Sequence, residues 1–170
     1  TREMQAQEGL VILIDDKKIV DIVPDGTDLS GYHVINLCGH YVMPGLINMH
    51  VHLAGNGKPQ KKQQDNEKKV KTIMSNALTR AVAYKMVCGF AKDEVFSGVT
   101  TIRTMGGLGN FDTRLRDEIE AGTKPGPRIL AANEGISVPG GHMAGSVAIA
   151  AHSVEEALAH LKQSESEHVN

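Results

Sequence analysis

Residues 41–53 read YVMPGLINMHVHL and carry the strongest structural signal in the chain. The Pro44-Gly45 pair favours a turn, and the apolar run after it predicts a strand over residues 46–52. Because side chains alternate along a strand, His50 and His52 are expected on one face at its carboxyl end. Two imidazoles placed together in this way are natural ligands for a divalent metal ion.

Upstream of this stretch, the sequence predicts a small β unit. Two β-branched runs around a polar turn at residues 15–18 predict a hairpin over residues 10–23. Residues 33–37, HVINL, predict a third short strand.

Downstream, strands and helices alternate. Residues 55–66 lack apolar periodicity and predict a long polar loop, and apolar residues at three- and four-residue spacing then predict one helix over residues 70–96. The remaining predicted elements are a strand at 99–104, a helix capped by Asp112 that ends at Gly122, a strand at 127–131, a glycine-rich loop to Gly145, and a helix opened by a Ser153/Glu156 capping box. This order is typical of parallel βα units.

Composition excludes several classes of protein. With 170 residues, 41% hydrophobic and 22% charged, the chain fits a soluble globular α/β protein, and no apolar run is long enough for a membrane span. A net charge of −2 offers no general attraction for nucleic acid, and acidic residues interrupt the lysine-rich stretch 58–71. Cys38 and Cys88 are expected as free thiols, which favours the cytoplasm.

Residues 41–53 closely resemble PG-[LIF]-ID-x-H-x-H, the signature that opens the barrel in the amidohydrolase superfamily. Residues 34–40 resemble the strand that precedes it, and residues 98–103 resemble the second barrel strand. Residues 126–142 are similar to the third strand and its loop in the Xaa-Pro dipeptidase-like and imidazolonepropionase-related subgroup. The resemblance covers residues 9–165.

This resemblance implies an α/β fold with the first three βα units of a (β/α)8 TIM-type barrel. Residues 1–43 would be part of a small β-sandwich subdomain, and residues 44–170 would be the first part of the barrel. In the family, later strands supply the remaining ligands and the proton-accepting Asp, so the chain resembles an N-terminal portion and its catalytic residue stays unknown. Asp112 and Asp117 are interpreted as a helix cap and a solvated charge.

Two positions depart from the family pattern: Asn48 stands where the family has Asp, and Thr104 follows Arg103 where the family often has Asp. Asn48 is expected to hydrogen-bond near the metal without contacting it, and its neutral amide weakens the local negative charge. His142, in the loop after the third strand, is a candidate substrate-binding residue, although an exposed loop histidine is an equal alternative.

The implied function is hydrolysis of amide, peptide or cyclic amide bonds by a metal-activated water, with a dipeptide or another small molecule as substrate. The implied cofactor is one or two divalent ions, zinc by preference, held by His50 and His52. A homo-oligomer is compatible with this assignment. The alternatives are a truncated or degenerate relative without catalysis and, less favoured, a small autonomous metal-binding module.

We expect residues 1–170 alone to be inactive as a hydrolase. Two imidazoles leave a metal ion with open positions, whereas catalytic zinc sites usually have three protein ligands and a water. The check is to load the purified chain with zinc or manganese and assay dipeptides and cyclic amides. Metal-dependent turnover that disappears in His50→Ala would contradict this expectation.

Overall fold

The computed structural model describes residues 5–55, 57 and 65–170. Within them the chain has a mixed α/β fold and forms two compact units, Thr1–Pro44 and Gly45–Asn170. None of the described helices is both long and apolar enough to cross a membrane.

The first unit contains an antiparallel hairpin of β1, Leu10–Asp15, and β2, Lys18–Pro24. Asp16 adopts a left-handed backbone conformation, φ 52°, in the tight turn between the strands. The predicted hairpin is therefore confirmed.

The predicted strand at residues 33–37 is wrong, because this segment forms no ladder with any part of the chain that the structure describes. It ends instead in local turns: Asn36 Oδ1 accepts a hydrogen bond from Cys38 N at 2.8 Å, and His40 N donates to Leu37 O at 3.0 Å. Ile35 is 74% exposed. β-branched residues favour a strand only where a neighbouring strand pairs with them and covers them.

The second unit is built on a parallel three-stranded sheet with the order β3-β4-β5. A shorter parallel pair, β6 and β7, lies beside the loops that follow this sheet in the sequence. The strands of this unit are β3 Leu46–Val51, β4 Val99–Thr104, β5 Arg128–Leu130, β6 Gly135–Ser137 and β7 Ala148–Ala150. Its helices are α1 Asn66–Ser75, α2 Ala77–Phe96, α3 Phe111–Glu120 and α4 Val154–Ser166.

The core of this unit lies where α2 and α3 pack on β4 and β5. Ile102 in the centre of β4 and Leu115 on α3 are fully buried, and Ala91 of α2 is buried beside them. The predicted strands at residues 46–52, 99–104 and 127–131 are confirmed to within a residue or two.

The single helix predicted over residues 70–96 is two helices, α1 and α2, separated at Asn76. Asn76 has an extended backbone, φ −122° and ψ 135°, and its side chain accepts a hydrogen bond from Leu78 N at 2.7 Å. An Asn side chain competes with helical backbone bonds in this way, so it ends one helix and caps the next. Of the predicted polar loop at residues 55–66, positions 56 and 58–64 lie outside the described residues.

The glycine-rich loop predicted before Gly145 contains β6, and β7 follows it, and neither strand was predicted. Each strand has three residues, too few to show an alternating pattern. The capping residue of α4 is confirmed, since Ser153 Oγ accepts from Glu156 N at 3.2 Å. The Glu156 carboxylate accepts from His152 N at 2.7 Å rather than from Ser153 N.

Candidate functional site

His50 and His52 lie at the carboxyl end of β3. Val51 between them is buried, so the two imidazoles project to the other side of the strand. Their Nε2 atoms are 3.2 Å apart, and the ring planes meet at 70°.

This spacing fits a shared metal ion. Two imidazole nitrogens bound to zinc at about 2.0–2.1 Å in tetrahedral geometry lie about 3.3–3.4 Å apart, close to the 3.2 Å between His50 and His52. Across residues 5–55, 57 and 65–170, no cluster of three or more His, Cys, Asp or Glu side chains could hold a metal. The described residues therefore offer two ligands and leave the coordination incomplete.

The tautomer of His52 is fixed by the loop that follows β4, residues 105–109, here called the glycine loop. His52 Nδ1 lies 3.1 Å from the carbonyl oxygen of Gly106. A carbonyl can only accept a hydrogen bond, so Nδ1 carries the proton and donates it. The Nε2 lone pair is consequently free to bind a metal, which is the arrangement typical of metal-bound histidine.

Asn48 supports His50 through the backbone. Its Oδ1 accepts a hydrogen bond from His50 N at 3.2 Å. The pairing of β3 with β4 is irregular at this point, because Asn48 pairs with Ile102 and Val51 with Thr104, which leaves one extra residue in β3. The amide of Asn48 therefore satisfies a backbone donor where the ladder is disturbed.

Two glycines in the glycine loop leave no room for a side chain. Gly106 has φ 136°, and a Cβ there would lie 3.0 Å from Val147 O and 3.4 Å from the His52 ring. A Cβ on Gly107 would lie 2.7 Å from Asp112 Oδ2. The loop can approach His52 this closely only because both positions are glycine.

The prediction that Asp112 caps the second helix is wrong. The cap position is Asn110, whose side chain makes no capping bond, and Asp112 lies in the first turn of α3 with 1% of its surface exposed. Thr104 and the backbone of Asn133 lie beside its carboxylate. Asp117, by contrast, has a side chain that is 64% exposed.

Burial raises the pKa of Asp112 to about 6, although the neighbouring Thr104, Asn133 and His52 oppose the shift. Its Oδ2 has no hydrogen-bond partner among the described residues. A buried acceptor left in this state is costly. The composition of the helix gave no sign of this burial, since an Asp in the first helical turn is usually solvated.

Two cavities meet at His52. The one of about 530 Å³ is also lined by Asn48, His50, Asp93 and Glu94. The second cavity, of about 410 Å³, is mainly apolar; its apolar lining residues are Val70, Ile73, Met86, Phe90, Leu108 and Val147. His52 thus borders both a cavity with acidic residues and a mainly apolar one.

His142 is exposed and lines neither of these two cavities, whereas its neighbour Met143 lines the apolar one. Its role in substrate binding stays a prediction. Sequence reasoning missed the Gly106 carbonyl and the buried Asp112. The signal that could have found the loop was a pair of glycines directly after the strand beside the histidine strand.

We predict that Asp112→Asn changes the pH dependence of stability. A carboxyl whose pKa is raised from 3.8 to about 6 destabilises the fold as pH rises through that range, because the folded state then binds more protons than the unfolded state. The free energy of unfolding of Asp112→Asn relative to wild type should therefore increase by about 2 kcal/mol between pH 4.5 and pH 7.5.

Urea denaturation at the two pH values measures this difference. Asp117→Asn, on the same helix but exposed, is the matched control and should show little pH-dependent difference. If the free energy of unfolding of Asp112→Asn relative to wild type stays constant or decreases with pH, the raised pKa of Asp112 is contradicted.

Comparison with known proteins shows the family of the chain. The family model described as "Amidohydrolase family" matches residues 41–170. A dihydroorotase from Lactobacillus helveticus (strain DPC 4571) is 46% identical over 50 residues, which is 29% of this chain and 11% of that protein.

Solved structures with a similar fold include two whose sequences are at least 25% identical to this chain. A candidate prolidase from Bifidobacterium longum has a TM-score of 0.68 and 32% identity over 95% of this chain. A Xaa-Pro dipeptidase with methionine bound in its active site has a TM-score of 0.59 and 25% identity over 94% of this chain. The chain spans only 34% and 40% of those two proteins, respectively. The family inferred from residues 41–53 is confirmed: the chain belongs to the amidohydrolase family.

Proposed function

We propose that this protein is a metal-dependent hydrolase of amide, peptide or cyclic amide bonds, with dipeptides of the Xaa-Pro type as the leading substrate class. The observation that carries the proposal is the convergence of His50 Nε2 and His52 Nε2, 3.2 Å apart, with His52 held in one tautomer by Gly106. When bound, a divalent ion such as zinc supplies a water of pKa about 7 and polarises the substrate carbonyl.

The residues of this chain hold the two candidate metal ligands and orient their imidazoles. Val51 is buried and anchors the end of β3, so that the flanking imidazoles keep their direction. The Gly106 carbonyl keeps a proton on His52 Nδ1 and away from Nε2. We propose that the further ligands and the proton-accepting group come from parts of the protein beyond the described residues.

The substrate class is supported by similarity and by the cavity beside His52. Two of the similar structures are a candidate prolidase and a Xaa-Pro dipeptidase with bound methionine. The apolar cavity of about 410 Å³ suits an uncharged side chain of a dipeptide whose scissile carbonyl faces the histidines.

We also propose that β3, β4 and β5 are the first three strands of an eight-stranded (β/α) barrel and that residues 1–43 belong to a small β-sandwich. Parallel order with intervening helices supports the barrel. Three apolar side chains of β3 are 50–64% exposed, those of Leu46, Ile47 and Met49. This exposure is expected for an edge strand that pairs with a further strand in a complete barrel.

A non-catalytic relative is the second candidate. The described residues bring together two metal ligands rather than three. Asn48 and Thr104 stand where the amidohydrolase family pattern has charged residues. Measurement of metal content and turnover separates the two candidates.

We predict that in the complete protein His50→Ala and His52→Ala each remove bound metal and activity together, because no neighbouring side chain among the described residues can take the lost position. Metal affinity should fall by more than the roughly 10–100-fold that loss of a residue supporting a ligand costs. Elemental analysis and hydrolysis of dipeptides measure the two effects, with the exposed His152→Ala as the control. Unchanged metal content in either ligand variant would refute the ligand assignment.

We predict that Asn48→Asp retains or increases metal affinity. A carboxylate oxygen accepts the same hydrogen bond from His50 N and adds negative charge near the ion. Titration with zinc against a competing chelator measures the affinity. A marked loss of affinity would mean that the Asn48 amide donor, and not its acceptor, is the group that matters.

A further inference from the structure

One carboxylate of the second unit is buried without an evident reason. Asp112 is 1% exposed, and its Oδ2 has no hydrogen-bond partner within the described part of the chain. Such a group lowers stability, so its retention calls for an explanation. The explanation lies in what the carboxylate touches.

The carboxylate packs against the glycine loop. A Cβ on Gly107 would meet Asp112 Oδ2 at 2.7 Å and both Cγ and Oδ1 at 2.9 Å, so Asp112 occupies the space beside the Gly107 Cα. The adjacent residue, Gly106, places its carbonyl 3.1 Å from His52 Nδ1. A continuous series of contacts therefore runs from Asp112 through two glycines to the candidate metal ligand.

Asp112 cannot easily withdraw from this contact. Thr104 and the backbone of Asn133 lie beside its carboxylate, which is 1% exposed. Asn133 is buried with a left-handed backbone, φ 55°, and its side chain accepts from Thr113 N and donates to Thr113 Oγ1, both at 3.1 Å. The first turn of α3 and the residues after β5 are thus locked together around the carboxylate.

We propose that Asp112 is a positioning residue, whose carboxylate holds the glycine loop so that the Gly106 carbonyl fixes His52 as the Nδ1-protonated tautomer with Nε2 available to a divalent metal. The role in metal binding rests on the proposed function. The effect on the His52 tautomer does not, because the contacts exist in the protein without metal.

Two substitutions separate shape from charge. Asp112→Asn keeps the size of the side chain and its packing against Gly107, whereas Asp112→Ala removes all three atoms that touch the loop. Asp117→Asn removes an exposed carboxylate from the same helix and is the control. Circular dichroism and urea denaturation establish that each variant is folded before comparison.

The first measurement is the tautomer of His52 in metal-free protein, from the ¹⁵N chemical shifts of its ring nitrogens. Wild type, Asp112→Asn and Asp117→Asn should show the Nδ1-protonated form, and Asp112→Ala should show a mixture of both tautomers. Zinc affinity, measured by chelator competition, should fall by about tenfold or more in Asp112→Ala and stay within about threefold of wild type in Asp112→Asn.

The second measurement is a double-mutant cycle. Gly107→Ala should weaken zinc binding by about tenfold in the wild-type background, since its Cβ collides with the carboxylate. In the Asp112→Ala background the three atoms nearest to this Cβ are gone, and the same change should cost much less. This non-additivity is the specific signature of the contact.

An unchanged His52 tautomer in folded Asp112→Ala, or an equal cost of Gly107→Ala in both backgrounds, would overturn the proposal. If wild-type protein binds no zinc, the proposed function fails, yet the tautomer measurement still decides the role of Asp112. If zinc binds and the tautomer is indifferent to Asp112, the proposed function stands and this inference falls.

Discussion

The candidate site depends on one hydrogen bond, from His52 Nδ1 to the carbonyl of Gly106. A neutral imidazole has one proton, and a carbonyl acceptor decides which nitrogen carries it. The sheet brings the two groups together: Val51 pairs with Thr104, and Met105 N donates to Val51 O at 3.0 Å, one residue before Gly106. The last backbone pairing between β3 and β4 therefore determines the tautomer of the His52 side chain as well as the register of the sheet.

Much of the second unit could be predicted because its signals are local. An alternating strand places His50 and His52 on one side, and β-branched runs separated by helical spacing give the parallel order of β3, β4 and β5. The contact between His52 and Gly106 joins residues 54 positions apart, and no local pattern encodes it. The burial of Asp112 is likewise a product of tertiary packing, since β4, the glycine loop and the residues after β5 lie against it.

The errors have a common physical origin. Residues 33–37 have the composition of a strand but no pairing partner among the described residues, and Asn76 interrupts apolar spacing that is otherwise continuous. In both places a polar side chain forms a short-range hydrogen bond with the backbone in place of regular structure. Thr104, which departs from the family pattern, proved informative. Its hydroxyl accepts from Ala132 N at 3.0 Å and donates to Leu130 O at 3.5 Å, and it lies beside the Asp112 carboxylate.

The contact between Gly107 and Asp112 also constrains how the sequence can change over evolutionary time. A side chain at position 107 collides with the carboxylate, whereas a smaller residue at position 112 leaves space for it. The order of substitution at the two positions therefore matters. A lineage that first acquires a smaller residue 112 avoids the collision, and one that first acquires a larger residue 107 does not. The two positions are expected to covary among homologues, and the steric contact determines which of them changes first.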